Sequence, residues 1–487
     1  MQLNRPPAEE ERLKALRRER FQNSESEARY RTLVAERAAR RRQLEEQGAL
    51  SRQGALAEAT KIAGTCTLMC PVFEREEREL KNNIAPQEQV PGTRRADPAR
   101  AVKTFHRSAA GNEEPLPEDL RTPETLLRTL DHLVGVVIAE DPALQSCHGF
   151  VRDRTRSIRQ DFTIQNIRDW TTVAACERIA RFHIVSLHIL CGHKDFAEQQ
   201  DMEQLRNTLK TLIELYDDHR RAGQRCANEA EFYAYYIVSH LRDSDAKRVA
   251  ERLPAHIFTA PVVQQALRLH MLSESSGAVS TRRDPGSRLG AQNLATQFFR
   301  AVAAPDTPLL LACLAEYRFP SIRRAALKAM CDAFPYQEGK EYPVEDFAAM
   351  LAFDSADEVR EFCQLFSVAC NERGIKIGER TAGALVYREP DQRPQRMRPN
   401  LRAVGAKFRV SPMQAINDTL DPRLLGPSSL VLAAAARRIS EPVQRPARPQ
   451  PQPPIAAAAP PLRSANAFAS EHGGIFGNAP SLGTATT

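Results

Sequence analysis

Four runs of apolar residues between residues 99 and 270 constrain the fold of this chain more than any other feature. Within each run the apolar residues recur three or four positions apart, which places them on one face of an α-helix. Turn residues separate the runs, and no alternating pattern typical of a strand interrupts them. The runs are Leu126, Leu130, Leu133, Val134 and Val137; Val173, Cys176, Ala180, Ile184 and Leu187; Leu205, Leu209, Leu212, Ile213 and Tyr216; and Phe232, Tyr233, Tyr236, Ile237 and Leu241.

Consecutive helices joined by short loops build α-solenoids. We therefore predict an all-α fold with a helical-repeat domain over residues 61–318, whose repeats are degenerate because the sequence has no rigid period. Two stretches inside this domain lack helical spacing. We expect residues 82–98 to be poorly ordered and residues 273–288, which are rich in serine and glycine, to form a flexible insertion.

The pattern changes after residue 318. Helical spacing predicts three more helices, and Ser355 is a good N-cap for the third. Two short apolar stretches, 375–377 and 384–387, then predict a β-hairpin. Three helices followed by a hairpin is the element order of a winged helix, so we predict that domain over residues 319–388.

Both ends of the chain differ from this helical centre. Residues 8–50 are rich in Glu, Arg and Ala with a thin apolar seam, so we assign residues 1–60 to a charged N-terminal helix that is partly disordered. Its arginines are either solvated or bind nucleic acid. Fourteen prolines fall between Pro390 and Pro461, which predicts a disordered, proline-rich tail over residues 389–487.

The basic surplus of the chain lies in that tail. Residues 388–463 contain 13 Arg and Lys against 5 Asp and Glu, whereas the formal net charge of the whole chain is +7. A basic tail attracts polyanions without sequence preference.

Targeting and membrane signals are scarce in the sequence. Residues 1–11 are charged and lack an apolar stretch, so no secretory signal is predicted. No window reaches the ~18 apolar residues that a membrane span requires. The ten cysteines form no regular framework, which favours reduced thiols in an intracellular protein. Composition does not separate nucleus from cytosol, and Arg40-Arg41-Arg42 is too short for an import signal.

Catalytic motifs are equally scarce. The sequence contains no phosphate-binding loop, no His-Glu-x-x-His, no Gly-x-Ser-x-Gly and no dinucleotide fingerprint, so we predict no enzymatic activity and no cofactor. Cys66 and Cys70 have a spacing that zinc accepts, but a structural zinc needs four ligands and no second pair stands nearby. We favour packing at the start of a helix, with Pro71 in its first turn.

Two further groups have a structural and a chemical interpretation. His188, Cys191 and His193 are close in sequence, and we favour core or solvent roles over metal binding. Asp217-Asp218 could be paired acids, but nothing places a nucleophile or base beside them, so we interpret them as a solvated helix end.

A dense block of charges follows Phe150. Arginine forks suit bidentate pairing with carboxylates, so our first interpretation is a structural network that bridges two helices. Contact with RNA phosphates is the second. The block comprises Arg152, Asp153, Arg154, Arg156, Arg159 and Asp161.

The third helix of the predicted winged helix is acidic, with Asp354, Asp357, Glu358 and Glu361, and is poorly suited to reading a DNA major groove. The basic candidates lie elsewhere, and they would contact phosphates without sequence choice. An ordinary solvated surface is the alternative. These candidates are Arg323, Arg324 and Lys328 on the first helix, and Lys376 and Arg380 at the wing.

Six sequence blocks follow one another along the chain. They are Gly64-Thr-Cys-x-x-Met-Cys-Pro-x-x-Glu-Arg, Ala101-Val-Lys-x-Phe-His-Arg-Ser-Ala-Ala-Gly111, Leu116-Pro-Glu-Asp-Leu-Arg-Thr-Pro123, Phe150-Val-Arg-Asp-Arg-Thr-Arg-Ser-Ile-Arg-Gln-Asp161, Ile179-Ala-Arg-Phe-His-Ile184 and Asn228-Glu-Ala-Glu-Phe-Tyr-Ala-Tyr-Tyr236. Together they resemble signatures of the SAC/GANP family (germinal-centre-associated nuclear protein), and the resemblance covers roughly residues 10–388. Position 68 departs from the first block, because Leu68 stands where an acidic residue is usual.

The resemblance implies a large scaffold of the second transcription-and-export complex at the nuclear pore. It also implies a PCI-like, TPR-like helical core with a winged helix that docks a PCI-domain protein, and a small acidic protein that clamps this partner. The joint surface would bind mRNA without sequence specificity. These implications favour the phosphate-binding interpretation of Lys376, Arg380, Arg323 and Arg324.

The C-terminal region departs from that family pattern. No long helix is predicted beyond residue 440 that could hold the centrin-like and small helical subunits of the full complex. The dipeptide Phe476-Gly477 is either a nucleoporin-type repeat for export receptors or nucleoporins, or a chance occurrence. A competing function is a scaffold without RNA binding, in a cytoplasmic PCI assembly such as the proteasome lid or a translation-initiation complex, or at the centrosome or spindle pole. A third is an acyltransferase, as in some larger members.

Overall fold

The computed structural model describes residues 24–47, 62–107, 114–241, 244–277, 292–390, 396, 398–418, 420 and 422–425. Helices make up most of these residues, so the prediction of a mostly helical protein is confirmed. All described residues belong to one compact unit, Met1–Arg438.

The helices are numbered in chain order. Those before residue 278 are α1 (Ser24–Glu46), α2 (Val72–Leu80), α3 (Pro123–His132), α4 (His148–Ile164), α5 (Trp170–Ile189), α6 (Glu198–Arg221), α7 (Glu229–Ser239), α8 (Ser244–Glu251), α9 (Ala255–Phe258) and α10 (Pro261–Glu274). Those after residue 291 are α11 (Ala295–Ala303), α12 (Leu309–Glu316), α13 (Phe319–Ala333), α14 (Val344–Met350), α15 (Ala356–Leu365), α16 (Pro412–Asn417) and α17 (Pro422–Leu425). The strands are β1 (Arg380–Thr381) and β2 (Ala384–Leu385), and 3₁₀ turns lie at Pro86–Glu88, Pro117–Asp119 and Gly405–Lys407. α3 continues through a π-helical turn, Leu133–Val137, into Ile138–Glu140.

Helix starts follow from side chains that the sequence places just before each apolar run. Thr122 accepts a hydrogen bond from Thr125 N at the start of α3, where Pro123 occupies the first turn. Asp169 caps α5 by accepting from Thr171 N at 3.0 Å. Such caps satisfy backbone donors that have no partner inside the helix.

Helix α5 lies at the centre of the described residues. It is buried on nearly every side, from Val173 to Leu187, and contacts α3, α4, α6, α12 and α16. In a simple solenoid each repeat contacts only its sequence neighbours. The contacts of α5 with α12 and α16, which are distant in sequence, show that later helices close over it.

Residues 319–390 contain the three predicted helices, and Ser355 Oγ caps α15 by accepting from Glu358 N at 3.2 Å. The predicted hairpin was partly wrong. Ile375 forms bridges with Tyr342 and Cys370, whereas the hairpin pairs Arg380 with Leu385. Gly374 explains this course, because it has φ +151° and a Cβ there would lie 2.4 Å from Tyr342 O.

The prediction of a disordered tail from residue 389 was wrong for its first part. Residues 396 and 398–418, here called the strap, pack on the helical core and bury Val404 and Ile416 completely. Lys407 Nζ donates to Thr307 O at 3.1 Å. The proline-rich composition of residues 389–487 predicts disorder, because the few apolar residues that anchor the strap have little weight in it. The predicted disorder beyond residue 425 and the Phe476-Gly477 dipeptide lie outside the described residues.

Helix α1 is polar on most of its surface, yet it has a partner within the chain. Arg37 Nη1 lies 2.5 Å from Asp119 Oδ1, and its guanidinium lies 4.7 Å from the centre of the Phe73 ring. Tyr30 stacks on the same ring. Arg29, Arg40 and Arg41 also contact acidic side chains or carbonyl oxygens. The rest of the predicted N-terminal segment, residues 1–23 and 48–60, lies outside the described residues.

Candidate nucleic-acid interface

The segment around Cys66 and Cys70 is a packing element. Cys66 N donates to Leu120 O at 2.9 Å, and Thr122 N donates to Cys66 O at 3.0 Å, so the segment runs beside residues 117–122. A Cβ on Gly64 would lie 2.5 Å from Leu120 O, so only glycine fits there. Burial raises the pKa of the Cys70 thiol to about 12, which keeps it protonated.

Pro71 lies directly before α2, and Arg75 N donates to its carbonyl oxygen at 3.0 Å. Glu74, in the first turn, accepts from Thr104 N at 2.7 Å. This block therefore joins the start of α2 to residues 101–107, which begin the second signature block. The motif specifies how two loops and a helix meet.

The inner face of α4 holds a buried ionic network. Arg154 Nη2 donates to Glu88 Oε2 at 2.9 Å, and Arg78 forms a second pair with the same fully buried carboxylate. Val102 N also donates to Glu88, at 2.8 Å. Glu88 thus accepts hydrogen bonds from α2, α4 and residue 102. We predicted residues 82–98 to be poorly ordered, but Glu88 holds this stretch in the core.

Asp161 is the second acidic centre of α4. Arg121 Nε donates to Asp161 Oδ2 at 2.8 Å, and Lys103 Nζ donates to Oδ1 at 2.6 Å. All three side chains are buried. Glu88 and Asp161 each have two cationic partners, which offset the cost of burying their charges.

The other arginines of the block point away from this network. Arg152 Nη2 donates to Gln200 Oε1 at 3.0 Å, and its Nε lies 3.6 Å from Asp201. Arg156 lies over the ring of Phe105, 3.9 Å from its centre. Arg159 forms no ion pair or side-chain hydrogen bond with any residue that the structure describes, and it is half-buried.

The phosphate contact predicted for Arg323 is contradicted by its burial. Arg323 is 7% exposed. It donates to Leu351 O at 3.1 Å and to Glu358 Oε1 at 3.0 Å, and it lies 3.7 Å from the centre of the Phe353 ring. Helical spacing identified the face of α13 but not the residues 351–358 that cover it. Arg323 is a structural anchor between α13 and α15.

The remaining basic candidates are accessible. Arg324 Nη1 lies 3.6 Å from Glu389, and Lys376 Nζ lies 3.4 Å from Glu379. Lys328 and Arg380 form no ion pair within the described part of the chain. Weak pairs of this kind on a surface leave the cations available to other anions.

Two aromatic side chains beside these cations were missed by sequence reasoning. Phe334, at the end of α13, is 53% exposed, and Lys376 Nζ lies 5.7 Å from the centre of the Tyr336 ring. Gly378 packs against the Phe334 carbonyl so closely that a side chain would not fit. From sequence, an apolar residue at the end of an amphipathic helix is ordinarily assigned to the core. Only the exposure of Phe334 in the structure identifies it as a surface residue.

The family of this chain is decided by comparison with family models. A model described as the SAC3/GANP family matches residues 69–372, more than half of the chain. The chain belongs to the SAC3/GANP family. Among its SAC3/GANP relatives, it is 45% identical to SAC3 family protein 1 of Schizosaccharomyces pombe over 318 residues. It is 31% identical to Protein xmas of Drosophila melanogaster over 323 residues and 29% identical to SAC3 family protein B of Arabidopsis thaliana over 307 residues.

These alignments cover 65%, 64% and 61% of this chain but only 31%, 15% and 17% of the relatives, in the same order. The chain therefore spans at most about a third of the length of these SAC3/GANP proteins. The family match includes the networks around Glu88 and Asp161, as well as Arg324 and Lys328, but it ends before Lys376 and Arg380.

The other candidate groups of this SAC3/GANP protein lie in ordinary packing positions. His188 donates to Glu316 at 2.7 Å, and Asp218 lies 2.5 Å from Arg168 at the surface. No group of three potential metal ligands comes together in the described ranges. Within those same ranges, no helix has the length and apolarity to cross a membrane.

Proposed function

We propose that this SAC3/GANP protein is a non-enzymatic scaffold of nuclear mRNA export that couples transcription to the nuclear pore. It would dock a PCI-domain partner, itself clamped by a small acidic protein, and would bind RNA through residues 319–388. The observation that carries the proposal is the family membership, together with accessible cations on a compact module that follows the helical core.

The topology of residues 319–388 supports a winged helix. Tyr342, between α13 and α14, bridges to Ile375, and Ile375 also bridges to Cys370 after α15. In a winged helix, three short strands occupy these positions in the chain. Here each strand pair is reduced to a single bridge. The wing is then the turn between Cys370 and Ile375, where Arg373 is exposed, rather than the hairpin after Lys376.

The proposed RNA surface lies where residues 376–389 run along α13. Gly378 touches the Phe334 carbonyl at one end of α13, and Glu389 meets Arg324 near the other. Lys376 and Arg380 would bind phosphates, and exposed Phe334 would stack on a base. Such a surface has affinity for single strands without reading their sequence.

Charge reversal of two cations tests this proposal. The full-length K376E/R380E variant is compared with wild type for binding to a labelled single-stranded poly(A) oligonucleotide by fluorescence anisotropy across a salt series. We expect weaker binding and a salt slope that is shallower by about 1.4, because each phosphate contact contributes about 0.7 with single strands.

The matched control reverses two exposed arginines outside the module, in R268E/R300E. It changes the net charge equally, and we expect most of the affinity to survive. Equal losses in both variants would mean that only net charge matters. Unchanged binding in K376E/R380E would favour a scaffold that does not bind RNA through this module.

A further inference from the structure

The outer face of α4 carries a row of three arginines, Arg152, Arg156 and Arg159. Their spacings of four and three residues place them on one side of the helix, opposite the face that buries Arg154 and Asp161. The row spans about 10 Å of helix axis at a rise of about 1.5 Å per residue.

Arg159 differs from the arginines around it. Arg154 has Glu88 and Arg121 has Asp161, whereas Arg159 has no anionic partner among the residues that the structure describes. Burial lowers the pKa of its guanidinium, Cys176 opposes that shift, and Arg156 lowers the pKa further. The charge is thus held partly out of water, and its side-chain nitrogen atoms have no acceptor among the described residues.

Arg156 is oriented but not neutralised. Its guanidinium carbon lies over the ring of Phe105, 3.9 Å from the ring centre, and this cation–π contact uses none of its N–H donors. Burial lowers its pKa, as do Arg152 and Arg107, while Asp153 and Glu203 raise it. Asp153 is already engaged, because it accepts from Arg154 at 2.5 Å and from Phe105 N at 3.2 Å.

We propose that Arg156 and Arg159 form a phosphate-binding site for the backbone of single-stranded RNA, on the helical core and separate from residues 319–388. Arginine forks bind phosphate oxygens in a bidentate manner. Arg156 and Arg159 lie about 4.5 Å apart along the helix axis, at a rise of about 1.5 Å per residue, so two separate guanidinium groups suit neighbouring phosphates of one strand better than a single phosphorylated side chain. This site rests on the proposed RNA-binding function and extends the path of the strand beyond the winged helix.

The experiment combines neutralising variants of the full-length protein. R156Q/R159Q is assayed with the same poly(A) oligonucleotide, alone and in the K376E/R380E background, and R268Q/R300Q is the control of equal charge. We expect R156Q/R159Q to weaken binding about tenfold, with a salt slope shallower by about 1.4. The variant with all four substitutions should bind more weakly than either pair. Inorganic phosphate, titrated alone at equal ionic strength, should compete with RNA more weakly in R156Q/R159Q than in the wild type, and R156Q/R159Q in the K376E/R380E background should show the least competition.

A conservative variant separates charge from geometry. R156K/R159K should retain the salt slope but lose part of the affinity, because lysine lacks the planar fork. Circular dichroism of each variant establishes that the fold is intact. RNA affinity of R156Q/R159Q equal to that of R268Q/R300Q would overturn this site, whatever the result for K376E/R380E. Loss in R156Q/R159Q with no loss in K376E/R380E would support this site and reject the surface proposed on residues 319–388.

Discussion

Arg396 of the strap forms a buried ion pair with Glu316 of α12, with 3.1 Å between Nη1 and Oε2. Glu198 of α6 accepts from the same guanidinium at 2.6 Å. Glu316 in turn accepts from His188 Nδ1 at 2.7 Å and from Asn400 N. One arginine therefore joins the strap to α6 and α12, and its neighbours extend the network to α5.

Replacing this arginine should release the strap. In R396M the buried carboxylate of Glu316 and the half-buried carboxylate of Glu198 both lose this cation, and breaking a buried pair costs about 3–5 kcal/mol. We expect a matching fall in the free energy of unfolding, measured by urea denaturation. Hydrogen exchange should accelerate in residues 398–418. The control is R398Q, whose surface pair with Glu361 contributes about 0–1 kcal/mol.

Unchanged exchange protection over the strap in R396M would contradict this account. It would mean that Val404 and Ile416 hold the strap through apolar burial alone. At about 25 cal/mol per Å² of apolar surface, those two side chains contribute a few kcal/mol in total, so the two sources are comparable and the experiment separates them.

A second prediction concerns the fork between α5 and α7. Arg181 donates to both oxygens of Glu231, at 2.8 and 2.9 Å, and Tyr235 donates to the same carboxylate at 2.9 Å. E231Q keeps the shape but removes the bidentate partner of a buried guanidinium, which is left with the more distant carboxylate of Glu177 at 4.0 Å. We expect a loss of about 3–5 kcal/mol in unfolding free energy.

The matched control for this fork is D131N, which makes the same carboxylate-to-amide change. Asp131 pairs with Arg178 of α5 at 2.6 Å but is 67% exposed. Its loss should therefore cost about 0–1 kcal/mol. Similar losses in both variants would show that burial of the Arg181 pair adds nothing, which the geometry argues against.

The helices could be predicted from the sequence because their signals are local. The apolar spacing in α5 and the cap Ser355 depend only on neighbouring residues, and both predictions match the described helices. The roles of Glu88 and Arg396 could not be found in this way. Glu88 receives its cations from α2 and α4, and Arg396 receives its anions from residues 198 and 316. Local composition carries no trace of such distant partners.

The candidate site shows the same limit. Spacing correctly places Arg323 and Arg324 on α13, one residue apart, but one is buried under Phe353 and the other is accessible. Which side of a helix is covered depends on elements that arrive later in the chain. For the same reason the exposed ring of Phe334 could not be distinguished from a core residue.

A third prediction concerns the docking of α1. Arg37 contacts Asp119 and the ring of Phe73, so R37E introduces repulsion and removes a cation–π contact. We expect α1 to detach more often, by about 1–2 kcal/mol. Limited trypsin proteolysis should then cut residues 24–47 several times faster. R31E is the control, because Arg31 is 76% exposed and, within the part of the chain that the structure describes, pairs with Glu27 of its own helix. Equal cleavage rates in the two variants would contradict the proposed docking contact.

The last prediction uses the buried carboxyl of Glu229, at the start of α7. Burial raises its pKa to about 7, with Arg220 opposing the shift and Asp217 adding to it. An unfolded glutamate titrates near 4.3, so between about pH 4.3 and 7 the folded state binds more protons than the unfolded state. This group therefore destabilises the fold increasingly as the pH rises through that window.

In E229Q the side chain is neutral at every pH, so its unfolding free energy relative to wild type should rise between pH 5 and pH 8, by on the order of 2 kcal/mol. Thermal unfolding across that range measures the difference, and E214Q, on the exposed surface of α6, is the control. A difference between E229Q and wild type that stays constant with pH would mean that Arg220 compensates the buried charge fully.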